Sequence, residues 1–100
     1  MSDALQQILE AAKTAAGAKW SVVQADVTAF SKALVDASEQ TAENLAKGLI
    51  TEAEAKVEFD ALVDYAAILA NYTSVALKAI AQAALNAAVD ALWGIIAKAV

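Results

Sequence analysis

The chain has no cysteine, no histidine and no proline, and all seven of its basic residues are lysines. Without cysteine there are no disulfides, no thiolate metal ligands and no thiol nucleophile. Without histidine it lacks the usual general base at neutral pH and the commonest transition-metal ligand. Glycine is confined to Gly17, Gly48 and Gly94, which rules out a glycine-rich phosphate loop. Positive charge is short as well. Twelve carboxylates outnumber the lysines, for a net charge of −5. Lys13, Lys19, Lys32, Lys47, Lys56, Lys78 and Lys98 are scattered along the sequence. A phosphate backbone is held by clustered cations, so nucleic acid is excluded as a partner.

What fills the chain instead is alanine, at 28 of its 100 positions. Alanine is the best helix former and brings little apolar area per residue. With so few breakers, the composition predicts an all-α protein of few, long helices in one domain, residues 1–100. One stretch carries turn chemistry: Lys47-Gly48-Leu49-Ile50-Thr51-Glu52-Ala53-Glu54. Gly48 follows an apolar-periodic run as the glycine after a helix end does, and Thr51 with Glu54 matches a capping box. Lys47 and Glu52 sit where the helix dipoles favour them. A turn at 48–51 predicts a long antiparallel hairpin, with helices about 3–47 and 52–99.

Apolar spacing supports that outline. Trp20, Val23, Val27, Phe30 and Leu34 recur at intervals of three and four, one stripe of a helix, with Ser31 among the polar residues on other faces. Gly17 is the point at which this first helix would bend or break. In the second arm Leu62, Tyr65, Leu69, Tyr72 and Ile80 form the matching stripe, completing the hairpin seam, with Asn71 and Ser74 on its polar side. After Ile80 the large apolar residues restart at Leu85, Val89, Leu92 and Ile96, with Trp93 and Val100 beside them. That five-residue gap turns the apolar direction by nearly half a helical turn. Either the helix bends near 81–88, or 62–80 packs within the chain while 85–100 packs on another molecule. The second reading makes Leu85, Val89, Leu92, Trp93, Ile96 and Val100 an oligomer interface. The hairpin would then assemble into a four-helix bundle or a larger helical oligomer.

The last two-fifths, 62–100, carry only Asp64, Lys78, Asp90 and Lys98 as charges. A bilayer span needs about 20 apolar residues, and Lys78 interrupts the run that begins at Tyr65, so no simple span is recognised. Trp93 beside Gly94, Ile95 and Ile96, with Lys98 behind, suits a headgroup boundary. The alternative is therefore a lipid-associated or pore-forming helical protein using 85–100, and a heterologous helical protein is a further candidate partner. The start lacks a basic region followed by an apolar one, so the default expectation is cytoplasmic.

Site chemistry is sparse. Glu39, Glu43, Glu52, Glu54, Glu58, Asp60 and Asp64 gather near the turn, where a hard cation would find oxygen ligands. Pairing of Glu43 with Lys47 and of Glu52 with Lys56, plus a solvated face, accounts for them without a metal. No cofactor is implied, and no serine or threonine sits in a nucleophile elbow. Asn71-Tyr72-Thr73 matches a glycosylation sequon but falls within the predicted helix. These absences predict a non-enzymatic structural protein. In length, lack of cysteine and hairpin outline it resembles the WXG family of small secreted helical proteins, with Lys47-Gly48-Leu49 where that family has Trp-x-Gly.

Overall fold

The computed structural model describes residues 2–98, and every regular element among them is helical. They are α1 (Ser2–Ala16), a single 3-10 turn (Gly17–Lys19), α2 (Trp20–Ala46), α3 (Glu52–Leu62), the one-turn α4 (Ala66–Leu69) and α5 (Val75–Ala97). Two uninterrupted arms of some 45 residues would each extend about 68 Å at 1.5 Å per residue. The longest dimension is only 43 Å, so both expected helices are broken.

The first break is at Gly17, whose φ of 61° ends α1 in the left-handed region that glycine enters without strain. Since α2 alone accounts for about 40 Å, α1 has to fold back alongside it rather than extend it. The second arm breaks at 63–65 and again at 70–74, and α5 runs unbroken through 81–88, where a bend was one of the two alternatives. Local polar groups explain both breaks. Val63 is extended, and Asp64 Oδ1 accepts from the Ala66 amide at 3.0 Å. Ser74, expected mid-helix, is instead the N-cap of α5, its hydroxyl accepting from the Leu77 amide at 3.3 Å. Asn71-Tyr72-Thr73 therefore belongs to a loop, with Asn71 exposed.

The 48–51 turn follows its chemistry. Gly48 has φ 73°, and Thr51 caps α3 with Glu54 returning the bond: Glu54 N–H to Thr51 Oγ1 at 3.1 Å, Thr51 N–H to Glu54 Oε1 at 2.9 Å. From there the chain retraces α2. Thr41 pairs with Glu58, Phe30 with Tyr65 and Asp26 with Tyr72, so rising numbers on one side meet falling numbers on the other. The Phe59–Trp93 contact then brings the end of α5 back beside α3. The result is a short bundle in which α5 makes its most extensive contact with α1 and also packs on α2.

Counting alanines removes the apparent change of face in α5. Its buried residues are Ala81, Ala84, Leu85, Ala88, Val89, Leu92 and Ile96. On a wheel of 100° per residue these fall in one arc of about 140°. The large side chains shift phase, and the buried stripe does not. In α2 the buried line is Val23, Val27, Ser31, Leu34, Ser38, Thr41 and Leu45, with Val35 beside it. It passes through Ser31, expected on a polar face, because a small hydroxyl residue lets a neighbouring helix approach as alanine does. Ser38 satisfies itself on the Val35 carbonyl at 3.1 Å, whereas Ser31 Oγ is fully buried with no hydrogen-bond partner.

Two expectations follow. Leu92, 1% exposed, should cost about 2–5 kcal/mol as Leu92→Ala, and Ala88→Leu about 1–3 kcal/mol by overpacking. Urea titration monitored by circular dichroism would show it, and a neutral Ala88→Leu would contradict close packing there. Ser31→Ala removes an unsatisfied hydroxyl and should raise stability by about 1 kcal/mol. A loss of that size would mean that the hydroxyl has a partner in solution.

Candidate functional site

The side chains expected to meet another molecule are used inside the chain. Leu85, Val89, Leu92 and Ile96 are between 0 and 8% exposed, packed among α1, α2 and α3. Trp93 is half-buried against Phe59, ring centroids 5.6 Å apart, with Lys56 Nζ 5.1 Å from the indole centroid and 5.7 Å from the Phe59 ring. Lys56 pairs with Asp60 at 3.0 Å rather than with Glu52, so the ammonium is held between a carboxylate and two aromatic faces. Val100 lies outside the described residues. Of the expected hairpin seam, Val23, Val27, Leu34 and Tyr72 are buried, and Trp20, Phe30, Tyr65, Leu69 and Ile80 are half-buried. Leu62 ends α3 at 38% exposure, because the break after it turns the chain away from the stripe.

Tyr72 does what spacing alone could not foresee. Its ring is buried and its hydroxyl donates to Asp26 Oδ2 at 2.7 Å, fastening the 70–74 loop onto the second turn of α2. Burial, then the bond to Asp26 and the charge of that carboxylate, push the Tyr72 phenol up to about 12. Tyr65 is raised for similar reasons: burial first, then the charges of Asp90 and Asp60. At the exposed turn, the Lys47 hydrogen bond holds Glu43 below its usual value, and the Thr51 amide does the same for Glu54.

This latch fixes which segments share an end. The α1–α2 reversal at 17–19 and the start of α5 lie together, and the 48–51 turn lies at the opposite end. Among the described residues, four of the five exposed large apolar side chains fall at or beside these two ends. Val22 (50% exposed) and Val75 (83%) belong to the reversal end, Leu49 (69%) to the turn, and Val57 (70%), midway along α3, to the flank on the turn side. Charge divides the same way. Between Glu10 and Asp26, and again between Asp64 and Asp90, the sequence has Lys13, Lys19 and Lys78 and no carboxylate. At the turn end Lys47 and Lys56 are consumed by Glu43 and Asp60, and among the described residues Glu39, Glu52, Glu54 and Glu58 have no ion-pair partner.

Elsewhere the surface offers little to a small molecule. Two hollows, one along Asp3, Gln6, Gln7, Leu9 and Glu10 and one along Ser21, Gln24, Ala25, Thr28, Ala29 and Lys32, are wide open to solvent. Among the described residues no three carboxylates converge closely enough to hold a metal ion. The geometry defines a small all-α bundle whose last helix is buried along one face, with two chemically opposite ends. No family model, no curated protein and no solved structure matches the chain.

The latch carries a pH signature. Because the folded phenol titrates near 12 and a free tyrosine near 10, its stabilisation is complete below pH 10 and disappears as pH rises toward 12. Tyr72→Phe should lose stability at pH 7, at the lower end of about 1.5–3 kcal/mol because Asp26 is half-exposed, and should flatten the decline above pH 10. An unchanged alkaline profile in the variant would mean that another group governs it.

Proposed function

We propose that the chain is a non-enzymatic structural protein that works by associating with further copies of itself. The observation that carries this reading is the set of large apolar side chains left at the two ends while the interior is closed. Scattered exposed apolar residues are ordinary on any protein. Pairs of them at opposite ends of a 43 Å body, with opposite charge around each pair, favour association. The interface in this proposal differs from Leu85, Val89, Leu92 and Ile96, since those side chains are already occupied and would have to leave the core to serve. A four-helix arrangement made from two hairpins is likewise unnecessary, because one chain supplies its own packed bundle.

A second reading has its own support. Helix α5 is long and apolar enough to cross a bilayer, about 34 Å against a hydrocarbon core of about 30 Å. Its best 18-residue window has a mean hydropathy of 1.5, and 39% of that window is buried. Its polar residues Lys78, Gln82, Asn86 and Asp90 share one stripe and leave the rest apolar, so this reading keeps lipid as an alternative partner that would engage α5 after the bundle opens.

The absolute mass of purified protein, by light scattering across a concentration series without detergent, separates the two. Self-association requires an apparent mass rising above 10.3 kDa with concentration. A helical monomer at every concentration, coupled with leakage of dye from vesicles, would replace it with the lipid reading.

A further inference from the structure

We infer that copies join head to tail: the reversal end, with Lys19, Val22, Val75 and Lys78, seats on the turn end of the next copy, with Leu49, Val57, Glu52 and Glu54. This rests on the self-association reading above and adds its geometry. The occupant of each end is argued from complementarity. One end is apolar and carries unpaired lysines, for neither Lys19 nor Lys78 forms an ion pair among the described residues. The other is apolar and carries carboxylates whose neighbouring lysines are already engaged. Two like ends brought together would oppose charges of one sign, whereas unlike ends pair them.

Joining unlike ends is a heterologous contact, which propagates into a ring or a filament instead of stopping at a symmetric pair. Its strength is bounded by size. The cross-section is 23 × 17 Å, so one end presents about 300 Å², well below the roughly 800 Å² per partner of a stable interface. Association is therefore weak, reversible and sensitive to salt, with a dissociation constant in the micromolar to millimolar range.

Two surface variants test the arrangement without touching the core. Lys19→Glu with Lys78→Glu spoils the lysine end, and Leu49→Ser with Val57→Ser spoils the turn end; all four residues are exposed. Circular dichroism checks that each stays folded. In sedimentation equilibrium, each variant alone should weaken association by about tenfold or more. An equimolar mixture still offers one intact end of each kind, and should form a capped dimer, twice the 10.3 kDa monomer, that does not grow further. Raising salt from about 0.05 to 0.5 M should weaken the parent protein similarly. Association of the parent that neither variant disturbs would overturn the head-to-tail geometry and leave self-association standing. A parent that is monomeric throughout overturns both. Binding of that monomer to phosphatidylglycerol vesicles, abolished by Lys19→Glu with Lys78→Glu, would reassign the lysine end to lipid.

Discussion

The fold depends on helix-to-helix packing through alanine. Helix α5 makes its most extensive contact with α1, and half of the buried residues of the two are alanine: Ala12 and Ala16 on α1, Ala81, Ala84 and Ala88 on α5. Small side chains let helix axes approach toward the short end of the usual 8–10 Å. Each such residue removes little apolar area from water, however, so a 100-residue chain built this way gains less from burial than one built on leucine. The large buried side chains, Ile8, Phe59, Leu85 and Leu92, then take on a disproportionate share of the stability. Close approach also explains hydroxyls in the α2 stripe, since Ser31 and Ser38 keep the helix thin where a larger residue would hold its neighbours apart.

Where alanine does the packing, polar contacts set direction. Folding back along α2 is specified by Thr41 to Glu58, 3.1 Å, and by Tyr72 to Asp26, 2.7 Å, residues 17 and 46 apart in sequence. Burial is non-directional and would accept more than one alignment of alanine-lined helices. A hydrogen bond to a half-buried carboxylate accepts far fewer. The Lys56–Asp60 pair, stacked on Phe59 and Trp93, has a similar effect at the far end of α5: the aromatic contact ties α3 to α5, and the ammonium covers the rings from solvent.

The same feature decided what could be read from the sequence. Helical character and the 48–51 turn were legible because alanine content, Gly48 and the Thr51–Glu54 pair are local signals with one physical meaning. The stripe in α5 was not, because periodicity judged on large residues passes over alanine, and here alanine holds three of the stripe's seven buried positions. Judged on large residues alone, the stripe ending at Ile80 and the one restarting at Leu85 present two faces and invite a second molecule. With Ala81, Ala84 and Ala88 added the helix presents one, and the invitation goes. The loop at 70–74 had a signal, the run Asn71-Tyr72-Thr73-Ser74, in which short polar side chains compete for backbone groups. It was outweighed by an apolar rhythm that happened to continue across it. The polarity of the two ends was written in the spacing of carboxylates, yet it acquires meaning only once Tyr72 brings 70–78 beside 17–26.

A closed bundle with a lean interior has a consequence for association. Burial in the core has used Leu85, Val89, Leu92 and Ile96 of α5, so the large apolar residues left most exposed are peripheral, at Val75, Val57, Leu49 and Val22. On the proposed head-to-tail contact, such ends would be too small to hold two copies for long, yet would act on the folded state alone. A partner that binds only folded protein stabilises it by mass action, by an amount that grows with concentration. For a chain whose alanine core leaves a narrow margin, that increment is a large fraction of the whole. Folding and assembly would then be coupled: the copies most concentrated would be the most stable, and dilution would loosen both the chain of copies and the bundle within each one.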